Sequence, residues 1–202
     1  MKINFKVGLS IFISLICLLF STSLWSMEDH SSHKPLIGLK KTRTIVNYKA
    51  PDITLINQDG NKINLKTLMN SDKIIVLDFI FTTCPTICPI LSAGISNFQN
   101  KMGDKAESIQ MVSVSIDPEY DTPEILKEYS ERYDAKIGWE FLTGSREDIN
   151  ATMNAFDAYV ANKMDHAPLT FLHAPGGKNW VRINGLLSSS EFLDEYHKLT
   201  MK

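Results

Sequence analysis

Positive charge is not in surplus in this sequence: 21 Lys and Arg residues are set against 23 Asp and Glu, a formal net charge of -2. A chain so balanced has no general means of neutralising a phosphate backbone, which argues against nucleic acid as a partner. Cysteine is scarce as well, with three residues in 202, too few for the dense disulfide framework of a small secreted scaffold. The sequence shows neither internal repeats nor low-complexity tracts. Hydrophobic residues at 44% and charged residues at 22% exclude a disordered or fibrous chain and are sufficient for a packed core. The length suits one domain with appendages.

What is present begins with an export segment. Lys2 and Lys6 precede residues 7–20, which are free of charge and rich in Ile, Leu and Phe, a positive n-region followed by an apolar h-region. Ser21 and Ser23 have the spacing favoured by a leader peptidase, so cleavage after Ser23 is expected. Left uncut, residues 7–27 form a stretch of 21 uncharged residues, long enough to span a bilayer. Cys17 follows Ile16, where a lipid-modified cysteine would want a small residue, and reads as apolar filler. Residues 1–27 are therefore a signal peptide or an uncleaved membrane anchor. Either alternative delivers the rest of the chain to the periplasm or another extracytoplasmic space, anchored in the inner membrane if uncut.

Residues 28–50 are polar, carry His30 and His33, and read as a tether. The folded domain is expected over 51–202. Ile53 to Leu55 and Lys62 to Leu65 flank Asp59-Gly60, a hairpin signal. Residues 74–81 form an apolar run interrupted by Asp78, the pattern of a buried strand. Leu91, Ile95, Phe98 and Met102 trace a helical stripe, and residues 111–116 a second buried strand. Thr122-Pro123 opens a second helix and Ser145 a third. Residues 168–172 and 180–183 form a hairpin around Gly176-Gly177, and Ser188 with Glu191 is a capping box for the last helix. Strands alternating with helices and then an antiparallel hairpin specify an α/β, thioredoxin-like three-layer fold with a mixed central sheet.

In such a sheet, sites form beyond the carboxyl ends of the central strands. Cys84 and Cys88 fall there, in Thr-Thr-Cys-Pro-Thr-Ile-Cys-Pro. Pro89 suits a first helical position, which makes Cys88 the expected N-cap. The positive end of the helix favours thiolates, the reactive and metal-binding form. Two thiolates can close a disulfide or grip one ion. Of the five histidines, His30 and His33 read as solvated, His197 as a surface residue of the last helix, and His173 as turn-facing or packed. His166 remains, in the loop before the Ala167-Pro168 strand entry, although a lone histidine is more often structural than a ligand. Two thiolates with an imidazole suit copper, since thiolate selects Cu(I) and imidazole accepts both oxidation states, whereas zinc would want a fourth ligand. Asp117 and Asp121 read as turn-makers or as carboxylates at the mouth of the site. Asp78 has no partner evident from sequence.

Residues 81–89 (Phe-Thr-Thr-Cys-Pro-Thr-Ile-Cys-Pro), 114–123 (Val-Ser-Ile-Asp-Pro-Glu-Tyr-Asp-Thr-Pro), 138–144 (Gly-Trp-Glu-Phe-Leu-Thr-Gly) and Asp165-His166 together resemble the Sco/SenC family of copper chaperones. The resemblance runs from about Pro51 to Leu186. It departs from the family at Thr83, where many members have histidine, and around Gly176 to Lys178. It implies a thioredoxin-like domain that holds copper, as Cu(I) or Cu(II), through Cys84, Cys88 and His166. It also implies a role in assembling the binuclear copper site of cytochrome c oxidase subunit II, with an upstream copper donor or thiol reductant as a further partner. Pro168 resembles the proline that thioredoxin-like proteins hold cis, although a cis bond is the less favoured expectation. The alternative is a thiol-disulfide oxidoreductase with Cys84 and Cys88 as its redox pair, acting on the oxidase subunit or another exported protein. Its weakness is that neither the Cys-x-x-Cys of thioredoxins nor a thiol-peroxidase motif is present. Turnover of a small substrate by catalytic residues is not expected.

Overall fold

The computed structural model describes residues 41–201; the expected export segment and residues 28–40 of the expected tether lie outside them. Eight strands occur: β1 (Thr42–Val46), β2 (Thr54–Asn57), β3 (Lys62–Asn64), β4 (Ile74–Ile80), β5 (Ile109–Ser115), β6 (Trp139–Thr143), β7 (Leu169–His173) and β8 (Trp180–Asn184). The described helices are α1 (Leu65–Met69), α2 (Ile87–Met102), α3 (Pro123–Arg132), α4 (Arg146–Ala155) and α5 (Ser189–Thr200), with 3-10 turns at Gly103–Ser108 and Lys163–Asp165. The strands form a single mixed sheet in the order β1-β8-β7-β4-β5-β6-β2-β3. Parallel pairing is confined to β4, β5 and β6, and the flanking strands run antiparallel.

Every residue of β4 and β5 is buried, as strands covered on both faces require. Side chains that share a register position share a face, so Asp78, Ser113 and Phe141 point one way and Leu77 and Phe171 the other. On the first face Phe141 meets Tyr129 of α3 at 6.0 Å, and α2 ties to α3 through Ser92 Oγ and Tyr129 OH at 2.9 Å. Helix α5 adds Phe192, stacked on Phe98 of α2 at 5.3 Å. On the second face Phe156, which ends α4, packs against Phe171 at 5.4 Å and Trp180 at 5.1 Å, with Phe79 and Tyr48 closing the cluster. Helices on both sides of one mixed sheet give the thioredoxin-like three-layer arrangement, and they put the end of β4 and the start of α2 at the same rim.

The helix starts follow the expected chemistry. Thr122 caps α3 with Pro123 in its first turn, Ser145 caps α4, and Ser188 with Glu191 forms a full capping box on α5.

Two expectations need correction. Residues 42–46 belong to the sheet rather than to the tether, pairing with β8 from Thr42 against Asn184 to Val46 against Trp180. This strand is an edge with almost no buried side chain, so it lacks the apolar alternation that marks a strand in sequence. Polar contacts hold it, Arg43 Nε donating to Glu195 at 2.9 Å and Lys41 pairing with Glu191. Strand β6 separates α3 from α4, where the sequence pattern predicts one helix directly after the other. No described peptide bond is cis, that of Pro168 included, in line with the favoured expectation.

Candidate metal centre

Strand β4 delivers the chain to the rim, where Cys84 N-H donates to the Phe81 carbonyl at 3.1 Å and turns it back toward α2. The helix begins one residue before Cys88, with Thr86 rather than Cys88 as its N-cap. Pro89 is still in the first turn, where a missing N-H costs nothing. Cys88 is therefore inside the helix and fully buried, and Cys84 on the loop is 7% exposed. Both are free thiols.

The two sulfurs share a proton unequally. A hydrogen bond from Cys88 lowers Cys84 to about 4, helped by backbone groups of Cys88 and Thr86 and by the Thr86 hydroxyl. The same bond, with burial and the charges of Cys84 and Asp78, raises Cys88 far above the ordinary thiol range. The pair is thus one thiolate and one thiol at neutral pH.

His166 follows the Lys163–Asp165 turn and is 9% exposed. Its Nδ1 lies 3.9 Å from the Cys88 sulfur, and its ring stands edge-on to Phe81 at 6.3 Å. Burial lowers its pKa, opposed by the Phe79 backbone and the Cys84 charge, which leaves a neutral imidazole with a free lone pair. Its Nε2 is buried without a hydrogen-bond partner, a condition that native structures rarely leave uncompensated. Bond lengths of about 2.3 Å to sulfur and about 2.0 Å to imidazole nitrogen let two ligands of one borderline ion stand up to roughly 4.3 Å apart. Cys88 and His166 satisfy that limit. Among the described residues no three His, Cys, Asp or Glu side chains already converge as a group, so Cys84 is close to Cys88 without completing a preformed cage.

His173 and His197 sort as expected. His173 is buried, stacked on Trp180 at 4.5 Å, with Nδ1 against the Asn179 carbonyl at 3.1 Å. His197 is exposed, and His30 and His33 lie outside the described residues.

Several polar groups around the site have no signature in sequence. Asp78 is fully buried, near enough for its charge to act on Cys88, and accepts from Ser113 Oγ at 2.6 Å, which in turn accepts from Trp139 Nε1 at 3.0 Å. Burial raises Asp78 to about 7. Lys163 Nζ reaches Asp117 at 2.5 Å and lies 5.3 Å over the Phe81 ring. A cleft of about 410 Å³ opens beside this pair, lined by Asp117, Arg146, Met153 and Tyr159.

The comparisons agree with the motifs. The SCO1/SenC family model matches residues 43–200. The SCO1 protein homolog of Bacillus subtilis is 32% identical over 157 residues, 74% of this chain and 80% of that protein. Among solved structures, BsSco is a member of the Sco family of cytochrome c oxidase assembly proteins in which a disulfide switch has been identified. It is similar with a TM-score of 0.66 at 29% identity, covering 79% of this chain and 98% of that one. Arabidopsis thaliana ScoI, solved with copper bound, is similar with a TM-score of 0.62 at 27% identity, covering 74% and 96%. The chain described here belongs to the SCO1/SenC family.

Proposed function

We propose that this protein is an extracytoplasmic copper chaperone that carries one copper ion on Cys84, Cys88 and His166 and serves assembly of the binuclear copper site of cytochrome c oxidase subunit II. The observation that carries the proposal is the meeting of a thiolate-thiol pair with a buried neutral imidazole whose Nδ1 lies 3.9 Å from the Cys88 sulfur. Relatives supply the context: oxidase assembly for BsSco and bound copper for Arabidopsis ScoI. The export segment supplies the compartment, holding the domain at the membrane surface if it is uncut.

Copper here is cargo. Cys84 offers a thiolate without prior proton loss, Cys88 must release its proton when it takes the ion, and His166 contributes a lone pair with no proton to lose. Loading therefore releases one proton from Cys88, and handing the ion on returns it. An upstream donor supplies the copper or keeps the thiols reduced.

A second reading rests on the proton-sharing pair itself: Cys84 and Cys88 can give two electrons and the one proton that Cys88 holds to a partner's disulfide, the second proton coming from water, and become a disulfide themselves. The test that separates the two is metal uptake by the purified reduced protein. One copper per chain, lost in Cys84→Ala and in Cys88→Ala, supports the chaperone; thiol exchange without stoichiometric copper supports the reductase.

A further inference from the structure

Asp117 and Asp121 lie in one turn after β5, and each grips a different segment of the site. Asp121 is fully buried. Its carboxylate accepts from Thr82 Oγ1 at 2.5 Å, from Thr82 N-H at 3.2 Å and from Ser115 Oγ at 2.5 Å. Thr82 is the second residue before Cys84 on the loop that carries it. Asp117 accepts from Lys163 Nζ at 2.5 Å, and Lys163 opens the 3-10 turn that ends at His166. Beyond that ion pair, Lys163 sits over the Phe81 ring, to which the His166 ring stands edge-on. The turn is itself tied together: Asp117 N-H donates to Ser115 Oγ at 3.0 Å, and Tyr120 and Asp121 N-H groups donate to the Asp117 carbonyl at 3.0 and 2.9 Å.

We propose that this turn is the frame that sets the spacing of the two halves of the ligand set, Asp121 positioning the cysteine loop through Thr82 and Asp117 positioning the histidine loop through Lys163. The proposal rests on the copper reading and adds positioning residues to it. It also makes a distinction that general destabilisation would not produce. Cu(I) is satisfied by two thiolates, whereas Cu(II) gains more from imidazole. Loosening the Lys163 arm therefore selects against Cu(II), and loosening the Thr82 arm weakens both oxidation states together.

The experiment compares Lys163→Met, Lys163→Arg and Thr82→Val in the full chain. Thr82→Val removes the hydroxyl donor and keeps the N-H, which avoids disturbing buried Asp121 directly. In Lys163→Met, loss of a partly exposed ion pair lowers Cu(II) affinity about fivefold, with Cu(I) affinity changed less than about twofold and with recovery in Lys163→Arg. The imidazole NMR signals of His166 in the copper-free protein shift or broaden in Lys163→Met and stay unchanged in Thr82→Val. Thr82→Val lowers Cu(I) and Cu(II) affinity together and changes the alkylation rate of Cys84. Equal weakening of both oxidation states by Lys163→Met, or unmoved His166 signals, would overturn the histidine half; an unmoved Cys84 alkylation rate in Thr82→Val would overturn the cysteine half. If the unsubstituted protein takes up no copper, the chaperone reading fails, while the NMR and alkylation measurements still decide the frame.

Discussion

The Nδ1 atom of His166 lies 3.9 Å from the sulfur of Cys88, across 78 residues of sequence, at the rim where β4 ends and α2 begins. Imidazole adds more to Cu(II) than to Cu(I), because two thiolates already satisfy the softer ion. His166→Ala is therefore expected to lose Cu(II) affinity strongly and Cu(I) affinity less, and to keep the ability to form the Cys84-Cys88 disulfide. Parallel titrations with the two ions under defined thiol competition measure the contrast.

Thiol reactivity should be unequal. Cys84 is lowered to about 4 by the hydrogen bond from Cys88, and Cys88 is raised, so iodoacetamide at pH 6 modifies Cys84 first and Cys88 only slowly. Peptide mapping of the alkylated protein checks the order. The same shift has a stability consequence. Between about pH 4 and the ordinary thiol range, Cys84 is an anion when folded and a thiol when unfolded, so unfolding takes up a proton and this contribution grows as pH rises. The stability difference between the reduced protein and Cys84→Ser should widen from pH 5 to pH 8.

Oxidation should remove the site reversibly. A disulfide between Cys84 and Cys88 consumes both sulfur ligands, so oxidised protein takes up no copper and reduction with dithiothreitol restores uptake. Mass spectrometry of the intact chain, two hydrogens lighter when oxidised, follows the switch alongside copper content.

The aromatic cluster beneath the sheet is expected to be the main source of rigidity on the side facing away from the cysteines. Phe171 is fully buried and meets Tyr48, Phe79 and Phe156 at 5.4 to 5.9 Å. Phe171→Ala should cost roughly 3–5 kcal/mol, read as a lowered denaturant midpoint, with the thiol pair intact in the fraction that remains folded.

Much of this protein is legible from local pattern. The apolar runs at 74–81 and 111–116 have the composition of strands covered on both sides, and Thr122-Pro123, Ser145 and Ser188 with Glu191 are helix starts whose chemistry is contained in the few residues concerned. Features that depend on distant partners are not legible. Strand β1 is held by pairing with β8 and by Glu191 and Glu195, more than 130 residues away, and its own residues carry no apolar alternation. Strand β6 hides in Trp-Glu-Phe-Leu-Thr because its fifth residue and its neighbours Gly138 and Gly144 give no long run. The cysteine pair announces itself, since two cysteines four apart beyond a buried strand have few other uses. His166 was separable from the other histidines only by its place before a strand, and Lys163 and Thr82 by nothing local at all, because what they do lies in their contacts with Asp117 and Asp121.

The most direct test of the central claim is copper K-edge X-ray absorption on the reduced full chain loaded with one equivalent of Cu(II), beside the same measurement on His166→Ala. One tightly held copper per chain is expected, with two sulfur scatterers and an imidazole contribution that disappears in the variant. A copper ion without two sulfur neighbours, or an imidazole signal that persists in His166→Ala, would contradict it.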